Sequence, residues 1–192
     1  LCETYTIHSG RYPERKEDGN LLTPYFFWVI HKMIKVFVGR NNFFSNYGVK
    51  KYLNQNKIDV VLANYGMSAS HMVIPCKALN IPLIVIFHGH DATDKKLLNE
   101  YKNKYAKLFR YASGIVVVSN DMKSQLVRLG AAENKIHIIP CGVNTSMFDS
   151  NEESVQQKTF LAVGRLTPKK GPLYTIEAFN SVLQKHPDSK LI

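Results

Sequence analysis

The sequence predicts an α/β fold: a doubly wound parallel sheet, followed by the start of a second domain of the same kind. Three observations carry this. Short runs of almost unbroken Val, Ile and Leu recur, among them "IDVVLA" (58–63), "IPLIVIF" (81–87) and "GIVVVS" (114–119). Strands this apolar belong in a parallel sheet covered on both faces. Stretches with helical spacing of apolar residues separate them, the alternation of a βαβ chain. Polar, glycine-containing segments follow the strands, which places them all on one edge, where open parallel sheets bind ligands.

Taken in order, "ETYTIHS" (3–9) alternates and predicts a strand, and "GRYPERKEDGN" after it a polar loop. The aromatic run "YFFWVIHKMIKVFV" (25–38) is interrupted by His31, Lys32 and Lys35, so it predicts an amphipathic helix and not a membrane span. "SNYGVKKYLNQNK" (45–57) predicts a short helix, and strand 58–63 follows. A helix over about 68–79 leads to strand 81–87, and one over about 94–111 leads to strand 114–119. "NDMKSQLVRLG" predicts a helix with Ser119 as its N-cap and Gly130 as its stop. Strands over 135–140 and 159–164 come next, then a helix from Pro172 to about Lys185, ended by His186 and Pro187. The polar stretch 144–157 reads as an interdomain connection. Residues 1–143 are then most of one domain, and 158–192 the start of a second.

The composition, 192 residues with 45% hydrophobic and 21% charged, is that of an ordinary soluble globular protein. Cys2, Cys76 and Cys141 are odd in number and far apart, which indicates neither a zinc site nor a disulfide framework and suits a reducing compartment. No signal peptide is visible, but the chain starts at Leu1 without methionine and ends on "DSKLI", which opens like a strand. A fragment cut at both ends is the expectation. The net charge of +10 implies an anionic partner: a phosphate-bearing ligand, an acidic membrane surface or nucleic acid. No recognition helix, finger or stacking signature supports nucleic acid.

Among the edge segments, "HGHDAT" puts His88, His90 and Asp91 at the end of strand 81–87, where a cleft is expected. A metal reading of "HGHD" lacks a further ligand cluster at matching spacing. In "VGRLTPKKGP", Gly164 allows a tight exit from the strand, Arg165 and Lys170 lie five apart, and Pro172 opens a helix. Two cations beside a helix N-terminus suit a diphosphate; a solvated basic loop is the other reading, and both stay open. Neither GxxxxGK[ST] nor GxGxxG occurs.

Together, "IPLIVIFHGHDAT", "ASGIVVVSNDMKSQLVRLGA", "KIHIIPCGVNTSMF" and "FLAVGRLTPKKGPLYTIEAF" resemble, in that order, the GT-B retaining glycosyltransferases of family 4, of the bacterial exopolysaccharide, capsule or lipopolysaccharide hexosyltransferase type. "LANYGMSASHMVIPCKALNIP" fits the same group, and the resemblance covers roughly residues 58–185. It implies two Rossmann-like domains, the acceptor on the N-terminal one and a nucleotide-diphosphate sugar on the C-terminal one. A hexose would pass with retention to a glycan or lipid-linked acceptor, with no metal or other cofactor. By the resemblance, His88 matches the histidine near the transfer site, with Asp91 expected to fix its tautomer or bind acceptor hydroxyls. Arg165 and Lys170 match the pair that holds the donor diphosphate, and Gly164 just before them is expected on the donor side as well. "CGVN" matches a motif that usually ends in Asp, so Asn144 is a donor-side residue without the carboxylate. The family's first strand would lie upstream of Leu1 and its Glu-x7-Glu signature beyond Ile192, so this chain alone is expected to transfer sugar poorly. A cytoplasmic protein is implied, peripheral at the inner face of the membrane. The helix "KKLLNEYKNKYAKLFR" (95–110), with six Lys/Arg and one Glu, either docks on anionic lipid or packs as an ordinary amphipathic helix on the sheet. The competing class is a non-catalytic Rossmann-like module that binds a nucleotide or a partner.

Overall fold

The computed structural model describes residues 7–8, 15–17, 20–22, 26, 43–147 and 158–192. The expected aromatic helix over 25–38, apart from Phe26, and residues 148–157 of the expected connection lie outside the described residues. The chain divides into two compact units, Leu1–Gly142 and Val143–Ile192.

In the first unit, β1 (Ile7–His8) pairs antiparallel with β2 (Arg15–Lys16). The stretch expected to be only a loop therefore contains a strand. Then come α1 (Phe43–Gln55), β3 (Val61–Asn64), α2 (Gly66–Leu79), β4 (Leu83–Ile86), α3 (His90–Thr93), α4 (Lys95–Tyr111), β5 (Gly114–Val117), α5 (Asn120–Arg128) and β6 (Ile136–Ile138). β3 to β6 form one parallel sheet in that order. Sheet order equal to chain order, with right-handed crossovers, sends every connecting helix to the same face.

Register fixes what each face carries. Val61 pairs with Leu83, Ala63 with Val85 and Val85 with Ile115, and Ala63, Leu83, Val85, Phe87, Ile115 and Val117 are all buried. Residues of α1, α2, α4 and α5 join the same core cluster, including Leu53, Met72, Leu108 and Leu126. Each such buried side chain stabilises by roughly 1.5–3 kcal/mol. The opposite face carries Leu62, Asn64, Ile84, Ile86 and Val116, which are exposed or half-buried. Cover on both faces, expected from the apolar strands, is thus complete on one face among the described residues.

The helix ends follow from capping chemistry. The Leu97 N–H donates to the Asp94 carboxylate at 2.9 Å, which starts α4. Lys135 Nζ donates to the carbonyls of Phe109, Arg110 and Ala112 at 3.3, 3.0 and 2.8 Å, placing a cation on the negative end of that helix. The Met122 N–H donates to Ser119 Oγ at 3.2 Å, the cap expected for α5, and Gly130 ends that segment at φ 97°. Cys76 is buried, and burial pushes its thiol up to about 11, so it packs as an inert apolar group, whereas Cys141 is exposed.

The second unit contains β7 (Thr159–Phe160), α6 (Pro172–Leu183) and β8 (Lys190–Leu191). β7 and β8 pair parallel, and Phe160 meets Phe179 of α6 edge-on at 5.7 Å. Within the stretch expected as a strand over 159–164, Thr159 and Phe160 pair with Lys190 and Leu191, and the ladder continues as the Ala162 N–H donates to the Ile192 carbonyl at 2.8 Å.

Candidate functional site

Alternation along β4 decides where the imidazole goes. Leu83, Val85 and Phe87 turn into the core, so His88 falls on the other face and remains half-buried at the carboxyl edge. Phe87 is clamped edge-on by Tyr105 at a centroid distance of 5.6 Å, which anchors the residue before it.

Asp91 is fully buried, and both its oxygens are engaged by backbone. The His88 N–H donates to Oδ1 and the Gly66 N–H to Oδ2, each at 2.8 Å. The carboxylate therefore sits at the positive end of α2 and ties that helix to the loop after β4. Tyr105 Oη donates to the Asp91 carbonyl at 3.1 Å, and burial, with the Asp91 charge second, pushes its phenol above its ordinary range. The expected contact of Asp91 with the imidazole is corrected here. Asp91 lies in the one-turn helix α3, which aims its carboxylate back at backbone N–H groups and not at the ring.

The ring of His88 meets a residue the sequence reading did not single out. Its Nε2 lies 3.0 Å from Asn64 Oδ1, and the Tyr65 ring stands against it at 4.6 Å, tilted by 47°. Asn64 pairs with Ile86 in the register, and His88 lies two residues further on, so the two are diagonal neighbours on one face. The parity of "VLAN" against "LIVIFH" is the signal that finds this pair once the register is known.

Gly66 is required by space. A Cβ there would meet the Phe87 ring at 2.6 Å from Cζ and Tyr105 Oη at 2.8 Å. Gly66→Ala is expected to lower the stability of the first unit by about 2–3 kcal/mol, since both obstacles are held within the core. Urea unfolding followed by circular dichroism checks this, and an unchanged midpoint would contradict it.

In the second unit, the chain reverses between Gly164 and Gly171. The Thr167 N–H donates to the Arg165 carbonyl at 2.8 Å and the Lys170 N–H to the Thr167 carbonyl at 2.9 Å. Lys170 Cγ lies 3.9 Å from where a Gly164 Cβ would be, so the two ends of the motif are side by side. Arg165 and Lys170 are exposed. Gly171 takes φ 62°, which favours glycine, and hands over to Pro172 at the first position of α6. A cavity of about 760 Å³ is lined by Lys169, Lys170 and Gly171 of the motif on one side and by apolar groups such as Phe160, Leu161 and Phe179 on the other. Asn144 is exposed, and its Oδ1 accepts from the Ser146 N–H at 3.2 Å and Ser146 Oγ at 2.7 Å, so its side-chain oxygen shapes a turn. His90 is exposed. The residues expected to act together thus form two sets, His88 and Asp91 in the first unit and Asn144, Gly164, Arg165 and Lys170 in the second.

The profile of the family described as Glycosyltransferase Family 4 matches residues 5–147. Among curated proteins, the chain is similar to the amylovoran biosynthesis glycosyltransferase AmsK of Erwinia amylovora, 27% identical over 66% of this chain and 32% of the relative. It is similar also to WcaL of Escherichia coli (strain K12), whose name carries colanic acid biosynthesis as a provisional assignment, 29% identical over 64% of this chain and 31% of that one. The chain thus spans about a third of the length of the curated relatives it matches. Among solved structures, Anabaena Alr3699/HepE in complex with UDP and glucose superposes with a TM-score of 0.61 at 16% identity, covering 75% of this chain and 41% of that one. At that identity the likeness is one of fold.

Proposed function

The chain belongs to glycosyltransferase family 4, and on that premise we propose that it is part of an enzyme that moves a hexose from a nucleotide-diphosphate sugar to a glycan or lipid-linked acceptor, with retention, in cell-surface polysaccharide synthesis. The observation that carries the reading is the reversal at 164–171, which sets Lys170 beside Gly164 and its neighbour Arg165 at the head of α6. The biosynthetic names of the relatives and the UDP and glucose in the Alr3699/HepE complex support the same substrate class.

In the reaction, the bond between the anomeric carbon and the diphosphate oxygen breaks as the acceptor oxygen bonds to that carbon from the same face. The nucleoside diphosphate leaves with the electron pair, and the acceptor proton passes to the departing phosphate oxygen. Arg165, Lys170 and the N-terminus of α6 stabilise the growing negative charge, the part a metal ion plays elsewhere. Gly164 lies beside Lys170 on the donor side, and Asn144 belongs to the donor side through the turn it shapes. His88 contacts the donor sugar or orients the acceptor hydroxyl, and Asp91 holds the His88 loop by its backbone. The test is transfer by the natural protein from a panel of nucleotide sugars, with and without a chelator. Turnover of one donor that survives chelation is the expected result, and binding of donors without turnover of any would leave a non-catalytic module instead.

α4 adds a membrane expectation. Its apolar side, Tyr105, Leu108 and Phe109 with Leu97, Leu98 and Tyr101, packs on the core, so no apolar stripe is left to enter lipid. Lys95, Lys96, Lys102, Lys104, Lys107 and Arg110 are exposed. Any peripheral attachment there is electrostatic, so the chain is expected to sediment with acidic vesicles at low salt and to be released in about 1 M salt, where screening acts within about 3 Å. Sedimentation indifferent to acidic lipid and to salt would contradict it. Among the described residues no helix is long and apolar enough to cross a membrane.

A further inference from the structure

On the reading that His88 meets the sugar, we propose that Asn64 is its positioning residue: the Asn64 side-chain carbonyl accepts the Nε2 proton, so Nδ1 is the nitrogen offered, unprotonated, to a sugar hydroxyl. Three observations carry this. Asn64 Oδ1, which can only accept, lies 3.0 Å from Nε2, so the ring proton belongs there. Nδ1 has no partner among the described residues.

Next, the approach of Asn64 follows from the backbone. It ends β3 opposite Ile86, and the Tyr65 N–H continues the ladder to the Ile86 carbonyl at 2.8 Å. This fixes the distance between the end of β3 and the loop that carries His88. Finally, Tyr65 takes φ 69° and ψ 133°, a strained conformation for a residue other than glycine. It is kept although Tyr65 is 44% exposed and so gains little from burial. What it provides is on either side of it: the Asn64 contact with the ring, the Gly66 N–H on Asp91, and its own ring against the imidazole.

Among the described residues, few titratable and charged groups adjoin His88. Asp91 binds its backbone N–H, Tyr65 stands against the ring, and His90 follows one residue beyond Gly89 and is exposed. With the Nε2 proton taken by a neutral amide, the free lone pair on Nδ1 accepts an O–H. That is the hydrogen bond a hydroxyl of a donor or an acceptor sugar supplies.

Ring-nitrogen NMR of the chain labelled with ¹⁵N-histidine tests the proposal, with His88 identified by the signals lost in His88→Gln. The expected result is a proton on Nε2 and a bare Nδ1 above the titration midpoint. In Asn64→Asp, the carboxylate beside Nε2 is expected to raise the His88 midpoint by about one unit or more. Asn64 is exposed, so this variant is not expected to unfold, and the wild-type tautomer stands as an independent readout. A proton on Nδ1 in the wild type, or an unmoved midpoint in Asn64→Asp, would overturn the proposal. No sugar substrate is used, so failure here leaves the transferase reading intact, and failure of transfer leaves this result intact.

Discussion

Arg165→Ala and Lys170→Ala are each expected to slow sugar transfer by the natural protein by about 10²–10³-fold. Both residues lie on an exposed loop, so neither change removes a core contact. The folded state should therefore keep its thermal midpoint while turnover falls. The physical reason is that negative charge grows on the leaving diphosphate only as the anomeric bond breaks. A fixed cation then lowers the barrier by more than it tightens the ground state. Kinetics of both variants decide this: a loss carried by kcat fits the assignment, and rates within about twofold of the wild type would return the loop to a solvated basic turn.

Asp91→Ala is expected to cost about 3–5 kcal/mol, the largest stability effect in the first unit. Two backbone N–H groups, of His88 and of Gly66, lose their charged acceptor, and hydrogen bonds to charged groups contribute about 1.5–3 kcal/mol each. That is a large share of the 5–15 kcal/mol that holds a typical domain folded. Asp91→Asn should cost less, because one carbonyl oxygen still accepts while the amide faces the other N–H. Urea unfolding by circular dichroism orders the three proteins as wild type, Asn, Ala. An Ala variant as stable as the wild type would show that the buried carboxylate does not tie the two loops together.

The sheet was legible from the apolar runs, and the capping residues Ser119 and Gly130 from their chemistry, because both are decided within a few residues. His88 was legible as the polar end of a buried strand. Its partner was not, because the meeting of Asn64 and His88 depends on the pairing of Asn64 with Ile86, a register that no local pattern in either strand states. Asp91 was visible, but the contact expected between it and the imidazole is not made. A short helix at His90–Thr93, in the polar segment just before the helix read over 94–111, turns its carboxylate from the imidazole to the backbone. β2 hides in a charged stretch, since two residues, Arg15 and Lys16, are too short to display alternation.

The imidazole at the end of β4 stands at the centre of the proposed transfer step. The measurement is nucleoside diphosphate release by the natural protein and by His88→Ala, with the donor that supports transfer and at saturating acceptor. A loss of about 10²-fold or more in kcat at an unchanged thermal midpoint is the expected result. Release within about twofold of the wild type would contradict it and remove His88 from the chemistry.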